Sequence, residues 1–271
     1  MIRSRRTPLP VQDCCRLLGV SRASYYRSRP PRGERPDEDL VRLAGAHPRY
    51  GYRRLAALAG IGRKAMRLRM GRLGLMVQRK KPRKRTTFPV PVEAPNLCRK
   101  PSRPGELLAS DFTYIPLVQG FAYFAVTLDV FSRRVRGWSV SRRMDRGFVA
   151  QALRMAMGSG PLAPGWVCHS DRGSQYASAE FRDLVRAHGG ASSFSGPASP
   201  SENAFAESFF ARFKDEAVHI REPRGYQETV EEVERFVAWY NRDRLHSSLG
   251  DVSPLEFEER FAENPPEKSV S

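Results

Sequence analysis

The sequence predicts an α/β domain, a mixed sheet flanked by helices, preceded by a small basic all-helical region. Three observations carry this reading. Residues 107–140 hold three strand patterns in succession, LLASDFTYI, FAYFAVTLDVF and RRVRGWSV, and residues 145–194 then alternate helix and strand. Apolar residues recur at helical spacing through residues 11–75. Charge divides the chain: residues 1–100 hold 26 Lys and Arg against 6 Asp and Glu, whereas the remainder holds 20 against 23. A one-signed segment of that length reads as a footprint for a phosphate backbone, and the balanced remainder as a folded catalytic body.

The N-terminal elements follow in order. In VQDCCRLLGVSRASYYR an apolar helix ends near Gly19, and Ser21 caps a second short helix, a helix-turn-helix pattern at about 11–27 that presents Arg22, Ser24 and Arg27 to DNA. Residues 37–43 restart a helix, and Tyr50-Gly51-Tyr52-Arg53-Arg54 opens another, with Arg53 and Arg54 as further DNA contacts. Residues 62–75 place Met66, Met70 and Leu73 at core spacing between basic residues. Tyr50 and Tyr52 read as buried rings with hydroxyls at the rim. The region 1–78 is thus a helical DNA-binding unit. Residues 79–106, with RKKPRKR and five later prolines, form a linker in which Lys80, Lys81, Arg83, Lys84 and Arg85 track phosphates without reading sequence.

In the body, residues 107–257, the first strand puts Asp111, Thr113 and Ile115 on one face and Phe112 and Tyr114 on the other. The second strand is nearly all apolar and is expected to be central. Helices are expected over 145–158 and 178–188, strands over 165–170 and 191–194, and a flexible tail over 258–271. In the stretch containing Glu207, Asn203, Glu207, Ala211 and Lys214 share one broad helical face, and Phe205, Phe209 and Phe213 oppose it. The aromatic stripe should dock on the sheet and turn the polar face toward substrate.

Asp111 and Asp171 each follow an apolar strand pattern, and 35 residues separate Asp171 from Glu207. Oxygen-only ligands select a hard divalent cation, magnesium above all, with manganese as a substitute. Two such ions clamp the attacking and leaving oxygens of a phosphodiester. Lys214 and Arg172 are assigned to phosphate, and Asn203 joins them as a DNA contact. Asp129 is read as a turn cap or arginine partner, His169 as the orienter of a strand end, and the segment holding Tyr240, Asn241, Arg244 and His246 as a buttress of the core or a contact to flanking DNA. Cys14, Cys15, Cys98 and Cys168 lack zinc-ligand spacing and read as reduced thiols. No stretch is long and apolar enough to span a membrane, so a cytoplasmic, nucleoid-associated protein is expected.

HSDRGSQYAS at 169–178, SENAFAESFFARFKDE at 201–216 and WYNRDRLHSSLGDVSP at 239–254 resemble the integrase-core motifs of bacterial insertion-sequence transposases of the IS-three family. The likeness extends into LLGVSRASYYR and YGYRR. It departs at Glu202, where the family usually has aspartate. The resemblance implies a ribonuclease-H-like core, Asp111, Asp171 and Glu207 as catalytic triad, and Lys214 as the basic residue seven positions on. It also implies strand cleavage and transfer at element ends on double-stranded DNA, a homo-oligomer on DNA, and an upstream-frame protein or frameshift fusion as partner. A catalytically silent DNA-binding regulator and a nuclease that hydrolyses without joining are the competing expectations.

Overall fold

A computed structural model describes residues 11–22, 37–77, 96–97, 99–196, 203–218 and 224–264. The N-terminal helices are α1 (Val11–Leu17), α2 (Asp37–Ala46), α3 (Tyr52–Ala59) and α4 (Arg63–Arg72). Helix α1 ends at Gly19, whose φ of 64° suits the residue without a Cβ. The second half of the helix-turn-helix pattern, with Ser24 and Arg27, lies outside the described residues, as do Lys80, Lys81, Arg83, Lys84 and Arg85. Leu40, Tyr50, Leu55, Met66 and Met70 bury themselves against one another as the core of α2–α4.

The body is a five-stranded sheet of β1 (Leu107–Pro116), β2 (Phe121–Asp129), β3 (Val135–Ser141), β4 (Val167–Ser170) and β5 (Ala191–Phe194), in the order β3-β2-β1-β4-β5. Strands β1 to β3 form the expected antiparallel meander, and β4 and β5 join parallel to β1 through crossover helices α5 (Arg146–Gly158) and α6 (Ala179–Ala187). Both helices start at the side chains the sequence offers: Asp145 accepts from Phe148 N and Ser178 from Phe181 N. This order, with a meander continued by two parallel strands, is the ribonuclease-H-like arrangement. The middle strand is β1, and the more apolar β2 is interior beside it; β1 is the more polar of the two because it carries Asp111 midway along its length.

Strand alternation divides the core into two layers. Leu108, Ala125 and Cys168 pack with Phe148, Leu153, Phe181 and Val185 of α5 and α6. Leu107, Ala109, Ile115, Phe124 and Val126 pack on the other face with Phe209, Phe210 and Phe213 of α7 (Ala204–Phe213) and Val233, Phe236 and Val237 of α8 (Tyr226–Arg242). Gly137 of β3 has no room for a side chain: a Cβ there would run into Ala152 O and Ala156 N of the α5 backbone.

Asp129, 1% exposed, closes the turn after β2. It accepts from the amides of Gly105 (2.6 Å), Phe131 (2.9 Å) and Ser132 (3.2 Å), and Arg136 Nη1 lies 3.5 Å away. It is therefore both cap and arginine partner, although burial still pushes its carboxyl above the usual range. The chain ends in α9 (Pro254–Glu263), which runs six residues into the span expected as a tail. Ser253 caps it by accepting from Glu256 N, and Phe257 and Phe261 meet the Phe131 ring at 5.4 and 5.0 Å. Glu258 accepts from Ser132 Oγ and Arg134 Nη1. No helix among the described residues is long and apolar enough to cross a membrane.

The N-terminal helices dock on the body through α8 and the segments around it. Tyr50 lies 6.3 Å from the Trp239 ring and its hydroxyl accepts from Leu245 N. Arg63 pairs with Asp251 at 2.7 Å. Behind this contact His246 Nε2 sits 3.2 Å from Arg244 Nη1, and burial together with the surrounding arginines lowers its pKa to about 3. The segment around His246 thus buttresses the core.

Gly137→Ala is expected to cost at least about 2 kcal/mol through overpacking against backbone, read as a lowered melting temperature. Asp129→Ala strands three amides and a buried guanidinium, and a loss of about 3–5 kcal/mol in chemical denaturation is expected. Because the unfolded chain takes up a proton at His246 near pH 6.5 and the folded chain refuses it down to about pH 3, stability falls as the pH falls through that window. Denaturant midpoints of His246→Asn across the window should show a slope shallower by up to about 1.4 kcal/mol per pH unit; identical slopes would contradict the assignment.

Candidate functional site

The parallel pairing of β1 with β4 ends at Ser110↔Ser170. The next residue of each strand is an aspartate, so Asp111 and Asp171 stand side by side where two adjacent strands end their pairing. Asp111 remains in the ladder opposite Val126, and it falls on the α7 face of the sheet with Leu107, Ala109 and Ile115. Its Oδ1 accepts from Phe112 N at 2.9 Å. Asp171 Oδ1 accepts from Gly173 N at 2.9 Å, and a Cβ on Gly173 would stand 3.0 Å from that oxygen. Glycine keeps the turn tight against the carboxylate.

Buried polar groups fix this end of the sheet from beneath. His169 holds Ser193 Oγ at 2.9 Å through Nδ1 and Ser195 Oγ at 3.1 Å through Nε2, bridging β4 to β5, which is the strand-orienting position expected of it. Ser110 Oγ pairs with Thr127 Oγ1 at 3.0 Å. Arg172 Nε donates to Ser195 O at 2.8 Å, so this arginine braces the loop that leaves β5. Tyr176 is buried below, and burial together with the charges of Asp111 and Asp171 raises its phenol well above the ordinary range. Burial pushes the Cys168 thiol up to about 12, which leaves it inert.

Glu207 lies in the first turn of α7, half-buried, and its amide bonds to Asn203 O at 3.1 Å. The aromatic stripe does dock on the sheet: Phe209, Phe210 and Phe213 meet Phe124 at 6.1, 5.6 and 4.8 Å, while Phe205 packs at the margin beneath the Arg133 guanidinium. Phe210 and Ala206 widen the stripe beyond the expected three rings. Asn203 is 1% exposed, with neither amide atom bonded to a described residue. Helix α7 then changes from α to π geometry at Lys214, and the π turn runs over Lys214–Val218. Lys214 Nζ sits 5.3 Å from the centre of the Tyr114 ring; burial lowers its pKa, and the Asp111 charge pulls in the opposite direction.

The donor set suits a hard cation: one carboxylate midway along β1, on the sheet face that carries the Glu207 helix, and one just past the end of the neighbouring β4. Among the described residues no group of three or more His, Cys, Asp or Glu side chains is gathered closely enough to hold a metal. The strand register brings Asp111 and Asp171 together, and α7, which carries Glu207, packs on the same face of the sheet. Three bare carboxylates repel one another in the absence of a counter-charge.

Of the expected DNA contacts, Arg22 and Arg53 are exposed. Arg54 is turned inward: its side chain is 19% exposed, its guanidinium lies 5.0 Å over the Tyr50 ring, and Nη1 is 3.5 Å from Glu216 Oε1. Glu216 also receives Arg244, Nε to Oε2 at 2.8 Å and Nη2 to Oε1 at 2.9 Å. Sequence reasoning singled out both arginines and missed their common carboxylate, which stands two residues beyond Lys214 in the same motif.

An integrase core domain family matches residues 101–200, and a second integrase core domain family matches residues 188–254. The chain is 37% identical over 168 residues to the transposase for insertion sequence element IS904 of Lactococcus lactis subsp. lactis (strain IL1403), covering 60% of this chain and 66% of that one. It is 35% identical over 165 residues to transposase InsF for insertion sequence IS3A of Escherichia coli (strain K12), covering 59% of this chain and 56% of that one. The chain thus spans just under two thirds and just over half of those two relatives. Over nearly its whole length, 267 residues, it is 32% identical to the insertion element IS600 uncharacterized 31 kDa protein of Shigella sonnei, covering 91% of this chain and 98% of that one. Among solved structures it is similar to the HTLV-2 integrase catalytic core domain in complex with magnesium, at 13% identity and a TM-score of 0.47, over 58% of this chain and 97% of that one. With neighbouring aspartates from β1 and β4 on an integrase core and a relative matched almost from end to end, the chain belongs to the IS-three family of insertion-sequence transposases.

Proposed function

We propose that this protein is a DNA transposase that cleaves and joins strands at the ends of its own insertion element, with Asp111, Asp171 and Glu207 as its catalytic carboxylates. The observation that carries this reading is the juxtaposition of Asp111 and Asp171 immediately beyond the Ser110↔Ser170 pair, with α7 packed on the same face of the sheet. Stability alone calls for no two acids side by side at that position, since like charges there cost free energy. When bound, a pair of magnesium ions, for which manganese can substitute, supplies Lewis acidity to the oxygens entering and leaving phosphorus.

The chain's own groups then divide the remaining work. Asp111 and Asp171 present oxygen ligands from a rigid sheet, and Glu207 adds a third from the helix that packs against it. Lys214, half-buried and in the field of Asp111, offers a cation to a scissile phosphate. Arg172 bears on the DNA beside Asp171 while its Nε braces Ser195; Asn203, expected as a DNA contact, is 1% exposed at the start of α7, and that burial keeps its amide from a phosphate. Arg22, Ser24 and Arg27 of the helix-turn-helix pattern and Arg53 contact double-stranded DNA, and Lys80, Lys81, Arg83, Lys84 and Arg85 supply a sequence-independent hold on its phosphates. The chain acts in the bacterial cytoplasm as a homo-oligomer assembled on element ends and target, alone or joined to an upstream-frame partner. The domain division keeps a helical DNA-binding unit, a basic linker and a catalytic body, with the body extended through α9.

The test is a magnesium-dependent reaction on labelled oligonucleotides carrying the flanking element ends, with the chain alone and fused to any upstream frame. Asp111→Asn, Asp171→Asn and Glu207→Gln are each expected to lower cleavage and joining by about a thousandfold or more while DNA binding persists, since each removes several kcal/mol of charge stabilisation. Binding without products from both the lone chain and the fusion would favour a regulator, and hydrolysis without joining a nuclease.

A further inference from the structure

A buried ionic cluster ties the N-terminal helices to the helix that carries Glu207. Glu216, with a side chain 6% exposed, lies in the π turn immediately after α7. Arg244 from the body grips both its oxygens, at 2.8 and 2.9 Å, and Arg54 from α3 approaches one of them at 3.5 Å. Arg49, just before α3, lies 3.8 Å from Asp215 of the same turn. Tyr50 lies beneath Arg54 and joins the backbone of Leu245, while His246 stands beside Arg244. Two consecutive residues of one irregular turn are therefore held by arginines of the N-terminal module.

Two physical arguments make this more than packing. Buried ion clusters are poor sources of net stability because desolvation offsets their attraction, and their best-attested use is to fix register. A single π turn inside an α-helix is uncommon and concentrates at functional sites. Here the register being fixed is that of Lys214, the first residue of the π turn, two positions before Glu216, with its Nζ 5.3 Å from the ring of Tyr114 on β1, the strand that carries Asp111. The aromatic stripe anchors the helix as far as Phe213, and the ion pairs of Asp215 and Glu216 are the next fixed points. Lys214 lies between them.

We propose that Arg54 and Arg244 are positioning residues that grip Glu216 and so hold the π turn, and with it Lys214, in place against the Asp111 strand, making docking of the N-terminal helices a condition of a competent site. This rests on the phosphate role of Lys214 under the proposed function. It also takes Arg54 away from DNA: its charge is matched inside the protein.

The experiment uses the full chain as wild type, Arg54→Met, Arg54→Lys, Glu216→Gln, Lys214→Ala and the double variant Arg54→Met/Lys214→Ala. Amide exchange across residues 214–218 is read together with single-turnover strand joining and the salt dependence of DNA binding. Exchange in the π turn should rise in Arg54→Met and Glu216→Gln, with α8 unchanged. Joining at saturating DNA should fall by about tenfold, within the range of couplings between contacting residues, and Arg54→Lys should recover part of it. The double variant should be no slower than Lys214→Ala alone, and the salt slope should stay at its wild-type value. If Arg54 touches a phosphate instead, Arg54→Met lowers that slope by about 0.9 and leaves exchange unaltered; that result overturns the proposal. Raised exchange with joining unchanged, or losses that simply add, overturns it as well. A wild type that binds DNA and joins nothing, both alone and fused to any upstream frame, sinks the transposase reading, whereas unaltered exchange sinks the grip on Glu216 whatever the activity.

Discussion

The parallel pairing of β1 with β4 is the constraint on which the rest depends. Backbone hydrogen bonds between the two strands set which residues leave the ladder together, and those residues are Asp111 and Asp171. Because side chains alternate along a strand, the same register decides which face Asp111 takes and therefore which helix can answer it. Slipping β1 by one residue would send Leu108 and Phe112 toward α7 and Asp111 toward α5. The hydrophobic layers on both faces guard against that slip, since each would lose its own apolar set.

Around this register the molecule uses its buried polar groups to hold strand ends and turns. His169 spans β4 and β5 with both ring nitrogens, Ser110 meets Thr127 between β1 and β2, and Asp129 gathers three amides and an arginine at the turn into β3. None of these groups faces a phosphate in the proposed chemistry. They make the interior strands rigid, and a rigid support is what allows short acidic side chains to act with accuracy.

Much of this was legible in the sequence because it rests on local rules. Alternation exposed the meander, Asp145 and Ser178 announced their helices, and the Ala191–Phe194 strand agreed to the residue. The aspartates were legible as acids ending apolar runs. Helix α9 carries a local signal too: Ser253 followed by Pro254 is a cap with proline in the first turn, and it points to a helix where a tail was expected. The π turn was not legible, since ideal helical geometry carries Lys214 smoothly on from Glu207. Nor was the fate of Arg54, because an arginine on a basic helix looks solvated until its distant acidic partner is brought beside it. The apolar run of β2 rightly marked an interior strand, but not that β1 is the middle one, since β1 is made less apolar by the site residue it carries midway.

The docking of the N-terminal helices changes what their charge means. Arg49, Arg54 and Arg63 meet Asp215, Glu216 and Asp251 of the body, and Arg69 and Arg72 share Asp37 within the module itself. Cations already matched by protein carboxylates displace few counterions from a duplex. The ionic-strength response of the whole chain should therefore be gentler than a count of basic residues suggests, and the exposed arginines and linker lysines should dominate it. Under the proposed function that separation is useful to an evolving element: changes in the basic stretch at 79–85 would alter how tightly DNA is held, and changes in the matched arginines would alter how the N-terminal helices join the body.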